Sequence, residues 1–410
     1  MSGIPELDRV LGGGIMKRSA ILVGGEPGIG KSTLLLQTAA GAETKGRILY
    51  VSGEESAAQV RMRGDRLGIN GERIEIFCSG NLEEIQAILT AVKPVLVVID
   101  SAQTLFSSEA ASSPGSITQM RFCCWDLISW VKEHDAALFF TAHVTKDGII
   151  SGPKSLEHMV DTVLYFEDSA GTASDGLTRF LRSAKNRFGS VDEIGIFTMG
   201  EKGLSTVEDP SLLFIVTREG DLPPGIATAA VLEGSRPLLV EIQALTVPAK
   251  GSMSRVFSDR IDQARVSRVA AIIEKHLGLG LSDQDIYVNV AGGIRINEVG
   301  VELALASALY SARTGIPVPA WAIAGELSLA GEVRPLRRLL ARLRTARNLG
   351  FGSFLGPQAP SEESEPRGSA ETAGSGETLA TEGFSPCRDI KGAIKTLFSG
   401  SSGQSMQKTT

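Results

Sequence analysis

The strongest chemical pattern in the chain lies at residues 25–32. They read Gly25-Glu-Pro-Gly-Ile-Gly-Lys-Ser32, a complete match to the glycine-rich pattern G-x-x-x-x-G-K-S/T. Glycines let the backbone wrap closely around phosphate oxygens, and the helix that follows adds the positive end of its dipole. The lysine supplies charge to the β- and γ-phosphates, and the serine hydroxyl is a ligand for Mg²⁺. The pattern therefore predicts a nucleoside triphosphate site formed by Gly25, Glu26, Pro27, Gly28, Ile29, Gly30, Lys31, Ser32 and Thr33.

Three polar residues that follow other apolar runs could complete this chemistry. Asp100 supplies a carboxylate that can hold the water shell of Mg²⁺, although a lone aspartate at a strand end is often a turn or helix cap. Glu54 is predicted to polarise the attacking water. The alternative for an acid at this place is helix capping, which we assign to Glu55. His143 is predicted to sense the γ-phosphate, against the alternative of a local hydrogen bond.

The segments that carry these residues alternate between short apolar runs and helical patterns. Such alternation predicts an α/β fold, with a mainly parallel sheet covered on both faces. Strands are expected at residues 19–24, 47–52, 74–78, 95–100 and 137–142. Helices are expected at residues 31–42, 57–67, 82–91 and 117–133. A strand–turn–strand pattern follows at residues 162–167, 178–185 and 193–198.

Domain organisation follows from length and from shifts in composition. A chain of 410 residues predicts two to three domains, and the periodicity changes near residue 210. The first domain is placed at 1–212, and the second at 213–356 with strands at 227–232 and 238–246 and helices at 258–276 and 299–314. Residues 357–386, which hold six glutamates and one arginine among small polar residues, are predicted to be a disordered insertion. Residues 387–410 form a C-terminal segment.

Charge and cysteine content exclude several classes of protein. The formal net charge of −6 excludes a histone-like cationic coat, but it leaves room for a local basic groove that binds nucleic acid. The four cysteines form no C-x-x-C pair, so neither a zinc site nor a disulfide framework is expected. Apolar runs are too short to span a membrane, and the N-terminus lacks the apolar core of a signal peptide. We therefore expect a cytoplasmic protein with no membrane partner.

Two sets of basic residues are candidate contacts for nucleic acid. Residues 334–347 contain six arginines and no acid, and their leucines recur at helical spacing, so one helix face would pack while the other is cationic. The alternative is an ordinary solvated helix face. Lysines that follow His143 are also candidates, and their alternative is an ordinary flexible surface loop. The candidates are Arg337, Arg338, Arg342, Lys146 and Lys154.

With these residues in view, the chain resembles the bacterial RadA/Sms DNA-repair proteins, which are RecA-type P-loop ATPases. The resemblance covers residues 2–355 and is most specific at the pentapeptide Lys185-Asn-Arg-Phe-Gly189. Other matching segments are Gly3–Gly14, Ser52–Glu55, Thr141–Lys146 and Leu156–Asp161. The resemblance implies a RecA-like core that hydrolyses ATP with Mg²⁺ in a hexameric ring. It also implies that Lys185 and Arg187 reach into the ATP site of the neighbouring subunit.

The same resemblance implies a function, to which there are two alternatives. It implies a DNA-dependent, helicase-like motor for homologous recombination and repair, which binds single-stranded and branched DNA and promotes branch migration with the RecA recombinase. The alternatives are an ATP-regulated DNA clamp and a signalling ATPase, both without unwinding activity. Family members usually begin with a four-cysteine zinc module, and this chain begins after the point where that module would end. No zinc is therefore expected in this chain.

The second domain resembles the catalytic domain of Lon proteases, notably at Gly325–Pro335, and an α+β fold is implied. Lon-type proteolysis uses a serine nucleophile and a lysine base. Those positions fall near Val299 and Leu340, whose apolar side chains can neither attack a peptide bond nor accept a proton. No peptidase activity is expected.

Overall fold

A computed structural model of the chain shows two compact units, Met1–Glu208 and Asp209–Thr410. Among the described residues, no helix combines the length and the apolar character needed to cross a membrane. The structure describes residues 1–113, 115–143, 155–168, 178–207, 209–216, 218, 222–249, 254–358 and 383–399.

The first unit is an α/β domain. Within its described residues the strands are β1 (Ser19–Gly25), β2 (Ile48–Ser52), β3 (Ile74–Cys78), β4 (Leu96–Asp100), β5 (Ala137–His143), β6 (Thr162–Asp168), β7 (Thr178–Asn186), β8 (Ile194–Gly200) and β9 (Gly203–Thr206). The helices are α1 (Pro5–Leu11), α2 (Lys31–Gly41), α3 (Ala57–Arg66), α4 (Leu82–Val92), α5 (Ile117–Glu133) and α6 (Ser155–Met159).

These strands form one sheet in the order β3-β2-β4-β5-β1-β6-β7-β8-β9. The pairs from β3 to β6 are parallel, and β7 to β9 continue the sheet antiparallel. The predicted mainly parallel sheet is confirmed. Gly25 is aligned with His143, and Ser52 is aligned with Asp100, so the carboxyl ends of four strands meet at one edge.

Alternate residues of the central strands enter two different cores. In β1, Ala20 and Leu22 pack with α4 and α5, whereas Ile21 and Val23 pack with α1 and α2. β1 is buried along its whole length. A strand covered by helices on both faces has no solvated side, which is why the sequence shows a continuous apolar run here rather than alternation. This packing fixes the sheet edge on which the functional residues lie.

The second unit is an α+β domain. Within its described residues the strands are β10 (Ile226–Glu233), β11 (Arg236–Pro248), β12 (Val256–Ser258), β13 (Gln284–Val290), β14 (Ala322–Ile323), β15 (Glu326–Leu327), β16 (Val333–Arg334), β17 (Phe354–Pro357) and β18 (Phe384–Cys387). The helices are α7 (Gln263–Leu277), α8 (Glu302–Thr314), α9 (Leu339–Asn348) and α10 (Ile390–Phe398). The larger sheet has the order β12-β13-β11-β10-β14-β17-β18 and mixes parallel and antiparallel pairs.

Two features of the second unit depart from the sequence-based expectation. The predicted insertion at 357–386 falls largely on residues 359–382, which lie outside the described residues. Its end is not part of an insertion, because β18 pairs with β17 in the sheet. The cationic helix begins at Leu339 rather than near residue 334, because Arg338 adopts a left-handed backbone conformation with φ 53°.

Candidate nucleotide-binding site

The glycine-rich loop connects the end of β1 to the start of α2. Gly28 and Gly30 have φ values of 80° and 115°, in the left-handed region that side chains with a Cβ rarely adopt. A Cβ on Gly30 would also lie 2.6 Å from Cε of Met199. Gly30 is the N-cap of α2 and provides no side-chain cap, so the backbone N–H groups of the first turn remain available to an anion. The loop therefore fits the triphosphate that the sequence predicts.

Lys31 lies inside this loop rather than in solvent. Its side chain is buried, and Nζ donates hydrogen bonds to the carbonyl oxygens of Gly25 and Glu26 at 2.8 and 2.9 Å. Burial lowers the pKa of Lys31, while the carboxylates of Asp100 and Glu54 act in the opposite direction. The ammonium group is thus held inside the loop by two of its carbonyl oxygens.

Asp100 is oriented by donors from the two neighbouring strands. Its Oδ2 accepts from the Tyr50 hydroxyl of β2 at 2.6 Å, and its Oδ1 accepts from Thr141 Oγ1 of β5 at 2.7 Å. Burial, and then the Asp100 carboxylate, raise the pKa of Tyr50 well above its usual value, so the phenol remains a donor. An ionised carboxylate has about four acceptor positions, so two remain for water molecules bound to Mg²⁺.

Glu54 lies at the same edge, in the loop between β2 and α3. Its Oε1 accepts from Ser101 Oγ at 2.5 Å and lies 3.4 Å from Nε2 of His143. A Cβ on the preceding Gly53 would lie 1.9 Å from Thr104 Oγ1, so only glycine allows this loop to approach the segment after β4 so closely. The Glu54 side chain is 46% exposed, which leaves its carboxylate accessible to water.

His143 connects Glu54 to the phosphate loop. Its Nδ1 lies 3.4 Å from Lys31 Nζ, and its Nε2 faces Glu54. The imidazole is therefore placed between the cation and the carboxylate, where the predicted γ-phosphate sensor would lie.

The assignment of helix capping to Glu55 is wrong. Ser56 is the N-cap of α3 and forms a reciprocal capping box with Gln59. Glu55 pairs instead with Arg63 on the same helix. A serine followed three residues later by glutamine is the sequence pattern of a capping box, and it could have identified Ser56 as the cap.

Lys185 and Arg187 lie away from the phosphate loop of their own chain. Lys185 is aligned with Val163, which is aligned with Leu22, three residues before Gly25. Three strand residues span about 10 Å, and the two intervening strand spacings add a similar distance across the sheet. Both cations are directed to nearby backbone and carboxylate groups rather than to the loop.

Their contacts differ in strength. Lys185 Nζ donates to the carbonyl oxygens of Glu157 and Val160 at 2.8 and 2.7 Å, and burial lowers its pKa. Arg187 donates to Asp161 at 3.1 Å, and its side chain is 55% exposed. Arg187 is therefore the cation of the pair that can reach outward with the smaller loss of internal hydrogen bonds.

The nucleic-acid candidates divide into three groups. Lys146 and Lys154 lie outside the described residues. Arg337 and Arg338 are exposed before the start of α9, where Arg338 donates to the Ser235 carbonyl at 2.9 Å. The prediction that Arg342 contacts nucleic acid is wrong, because this residue is fully buried.

Arg342 belongs to the packed face of α9. It is 1% exposed and donates to Ala230 O at 2.7 Å and to both carboxylate oxygens of Glu298 at 3.0 and 3.1 Å. Leu339, Arg342, Leu343 and Ala346 are the buried residues of the helix and follow the i, i+3, i+4, i+7 spacing of one face. The spacing alone could have assigned Arg342 to this face, but its charge suggested the other.

Replacing Arg342 with alanine is expected to destabilise the second unit by about 3 kcal/mol, because Glu298 would be left partly buried without its partner. Urea denaturation measures this loss. Arg344→Ala removes an exposed arginine from the same helix and should change stability by less than about 0.5 kcal/mol. Equal denaturation midpoints for the two variants would show that the buried ion pair contributes nothing.

Comparison with known proteins gives consistent matches over both units. A family model described as an AAA domain matches residues 1–148, and one described as subunit ChlI of Mg-chelatase matches residues 257–360. The DNA repair protein RadA of Treponema pallidum is 59% identical over 365 residues, which cover 89% of this chain and 79% of that protein. RadA of Brucella abortus is 46% identical, covering 86% of this chain and 76% of its own. RadA of Bacillus subtilis is 44% identical, with 86% and 77% covered.

Proposed function

Because the chain belongs to the family of bacterial RadA DNA-repair proteins, and is a P-loop ATPase of DNA repair, we propose that it works as a ring-forming, DNA-dependent motor. It binds single-stranded and branched DNA in the bacterial cytoplasm. It promotes branch migration of recombination intermediates together with the RecA recombinase. The ring is a homo-oligomer, and we propose six subunits.

The placement of Lys185 and Arg187 is the observation that carries this proposal. They cannot complete the ATP site of their own chain, because the strand register separates them from Gly25 along and across the sheet. Cations near the γ-phosphate stabilise the charge that develops during phosphoryl transfer. A site completed by the neighbour's cations requires a closed ring or a filament.

The roles of the remaining residues follow from the geometry of the sheet edge. The loop backbone and Lys31 bind the phosphates, while Ser32 and Asp100 hold Mg²⁺, directly and through water. When bound, Mg²⁺ neutralises charge on the β- and γ-phosphates. Glu54, held by Ser101, orients and polarises the attacking water. His143 lies 3.4 Å from both Lys31 Nζ and Glu54 Oε1, and it reports the state of the γ-phosphate to the segment that follows β5.

Contacts to DNA are proposed at Arg337 and Arg338 and at Lys146 and Lys154. All of these would contact phosphates, so binding should depend on salt and tolerate different sequences. The second unit is proposed to be a Lon-like scaffold without peptidase activity. Val299 lies at the position of the Lon nucleophile, and its two neighbours contact each other. Glu298 accepts a hydrogen bond from Gly300 N at 2.9 Å, and a Cβ on Gly300 would lie 2.6 Å from that carboxylate.

Charge reversal at Arg337 and Arg338 tests the arginine contacts. Arg337→Glu with Arg338→Glu should weaken single-stranded DNA binding and reduce the slope of log K against log salt by about one unit for each lost phosphate contact. Fluorescence anisotropy at several salt concentrations measures both quantities. A matched control is Lys391→Glu with Lys395→Glu, which makes the same charge change on the exposed face of α10. If the two double variants show the same slope, the arginine contacts are refuted.

A forked DNA substrate separates the motor from its alternatives. The motor should displace a strand while ATP is hydrolysed. A clamp that uses ATP only for loading should bind without displacing a strand, and a signalling ATPase should be indifferent to DNA. Casein cleavage should stay at background, since neither Val299 nor Leu340 can act as nucleophile or base.

A further inference from the structure

A row of exposed apolar side chains crosses three strands of the second unit. Phe257 of β12 is aligned with Tyr287 of β13, and Tyr287 is aligned with Leu245 of β11. Their exposed fractions are 42%, 38% and 56%. Neighbouring residues on these strands, such as Ile286 and Val288, point to the other face and are buried. The row therefore lies on the opposite face of the sheet, in a part of that face that is exposed.

The two aromatic rings are ordered rather than merely exposed. Phe257 and Tyr287 are stacked, with ring centroids 4.7 Å apart and planes at 9°. The guanidinium carbon of Arg255, which directly precedes β12, lies 5.5 Å from the Phe257 centroid. Arg255 is itself held by Asp285 at 2.8 Å, yet its side chain is 60% exposed. The result is a fixed stack of a cation and two rings.

Polar groups flank this stack on the same face. Asn289 and Gln243 form the next row along β13 and β11, and Asn289 Nδ2 donates to Gln243 Oε1 at 3.1 Å. Gln243 Nε2 in turn donates to Glu241 Oε1 at 2.7 Å, so the exposed amide of Asn289 is the one that offers donor and acceptor groups to the edge of a nucleobase. On β11 between this row and α9, Glu241 is neutralised by Arg218, with two hydrogen bonds of 2.5 and 2.6 Å.

The N-terminal end of α9, which Arg337 and Arg338 directly precede, packs on this sheet face as well. Leu239 of β11 packs against Leu339 and Leu343 of α9. Leu239 and Leu245 are six residues apart in an unbroken strand, so their side chains share one face and are separated by about 20 Å. A single strand of nucleic acid lying along β11 would have arginines at one end of its path and the aromatic stack at the other.

We propose that Phe257 and Tyr287, with Arg255, form a stacking site for unpaired bases of single-stranded DNA. The inference rests on the DNA-binding function proposed above and assigns to it a second contact, made to bases rather than to phosphates. Aromatic rings and arginine planes are the groups on which unstacked bases are held in single-strand binding proteins. The exposed apolar area, on the order of 250 Å², is far below the roughly 800 Å² per partner of a stable protein interface.

The test compares two labelled oligonucleotides of equal length and charge, oligothymidylate and its abasic counterpart. The full chain is used with a non-hydrolysable ATP analogue, and affinity is read by fluorescence anisotropy. The wild type should bind oligothymidylate about tenfold more tightly than the abasic strand. Phe257→Leu with Tyr287→Leu keeps apolar side chains but removes the rings, and it should lose this preference while its affinity for the abasic strand is unchanged.

A conservative variant and a sedimentation measurement complete the test. Tyr287→Phe keeps the ring and should keep the preference. Wild-type protein that binds neither oligonucleotide would overturn the proposed function and the stacking site together. Equal binding of both oligonucleotides by the wild type, or a preference that survives in the double leucine variant, would overturn the stacking site alone. A double variant that keeps the preference but sediments as a smaller oligomer would assign the patch to contact between copies instead.

Discussion

Lys31→Ala should reduce ATP turnover by about 10²- to 10³-fold, because the lysine supplies the positive charge nearest the transferred phosphoryl group. The side chain is buried in the loop with its ammonium group on two carbonyl oxygens, so its removal takes away the charge held inside the loop. Steady-state phosphate release measures the loss. Circular dichroism and the thermal midpoint should stay close to those of the wild type.

Lys45→Ala provides the matched control for this variant. Lys45 is an exposed lysine in the connection between α2 and β2, and its removal makes the same change in charge and in side-chain size. Turnover by Lys45→Ala should equal that of the wild type. Persistent hydrolysis by Lys31→Ala would remove the phosphate-loop assignment and every role derived from it.

Mixed rings give the second large effect. Glu54→Gln and Arg187→Ala should each be nearly inactive alone, since one lacks the group that orients water and the other lacks the neighbour's cation. If Arg187 acts across the subunit interface, random mixing in equal amounts leaves roughly a quarter of the sites intact on both sides. We therefore expect turnover to recover to about a quarter of the wild-type rate.

The control is a mixture of two variants whose substitutions both affect the side of the interface that carries the phosphate loop. Glu54→Gln mixed with Lys31→Ala should show no recovery, because each site takes both residues from one subunit. Subunit exchange is verified by mass spectrometry of the assembled rings. Failure of the first mixture to recover in verified mixed rings would count against completion of the site by a neighbour.

The parallel sheet could be predicted from the sequence because its signals are local. Each central strand is a short apolar run covered on both faces, and the loop pattern at 25–32 is contiguous. Even α5 was predicted with its observed bounds, Ile117–Glu133. The order of polar residues after the strands was also enough to place Glu54, Asp100 and His143 at one edge.

Contacts between distant segments could not be predicted in the same way. The role of Ser101 cannot be predicted from the sequence, since a serine after a strand has many uses and its bond to Glu54 forms only when β2 and β4 are paired. Phe257 and Tyr287 are thirty positions apart and become neighbours only through the register of β12 and β13. The prediction for Arg342 is wrong because its charge favours the exposed face of the helix, whereas the helical spacing places it on the packed face.

The pairing of β17 with β18 has a practical consequence. Because β17 and β18 are adjacent and parallel, the end of β17 and the start of β18 lie at opposite ends of this strand pair, and a chain connection joins them. Lengthening such a connection is inexpensive, at about 0.6 kcal/mol for each doubling. A fluorescent reporter domain inserted at this point would label the assembled protein at an internal position, with both chain ends left untouched for other tags.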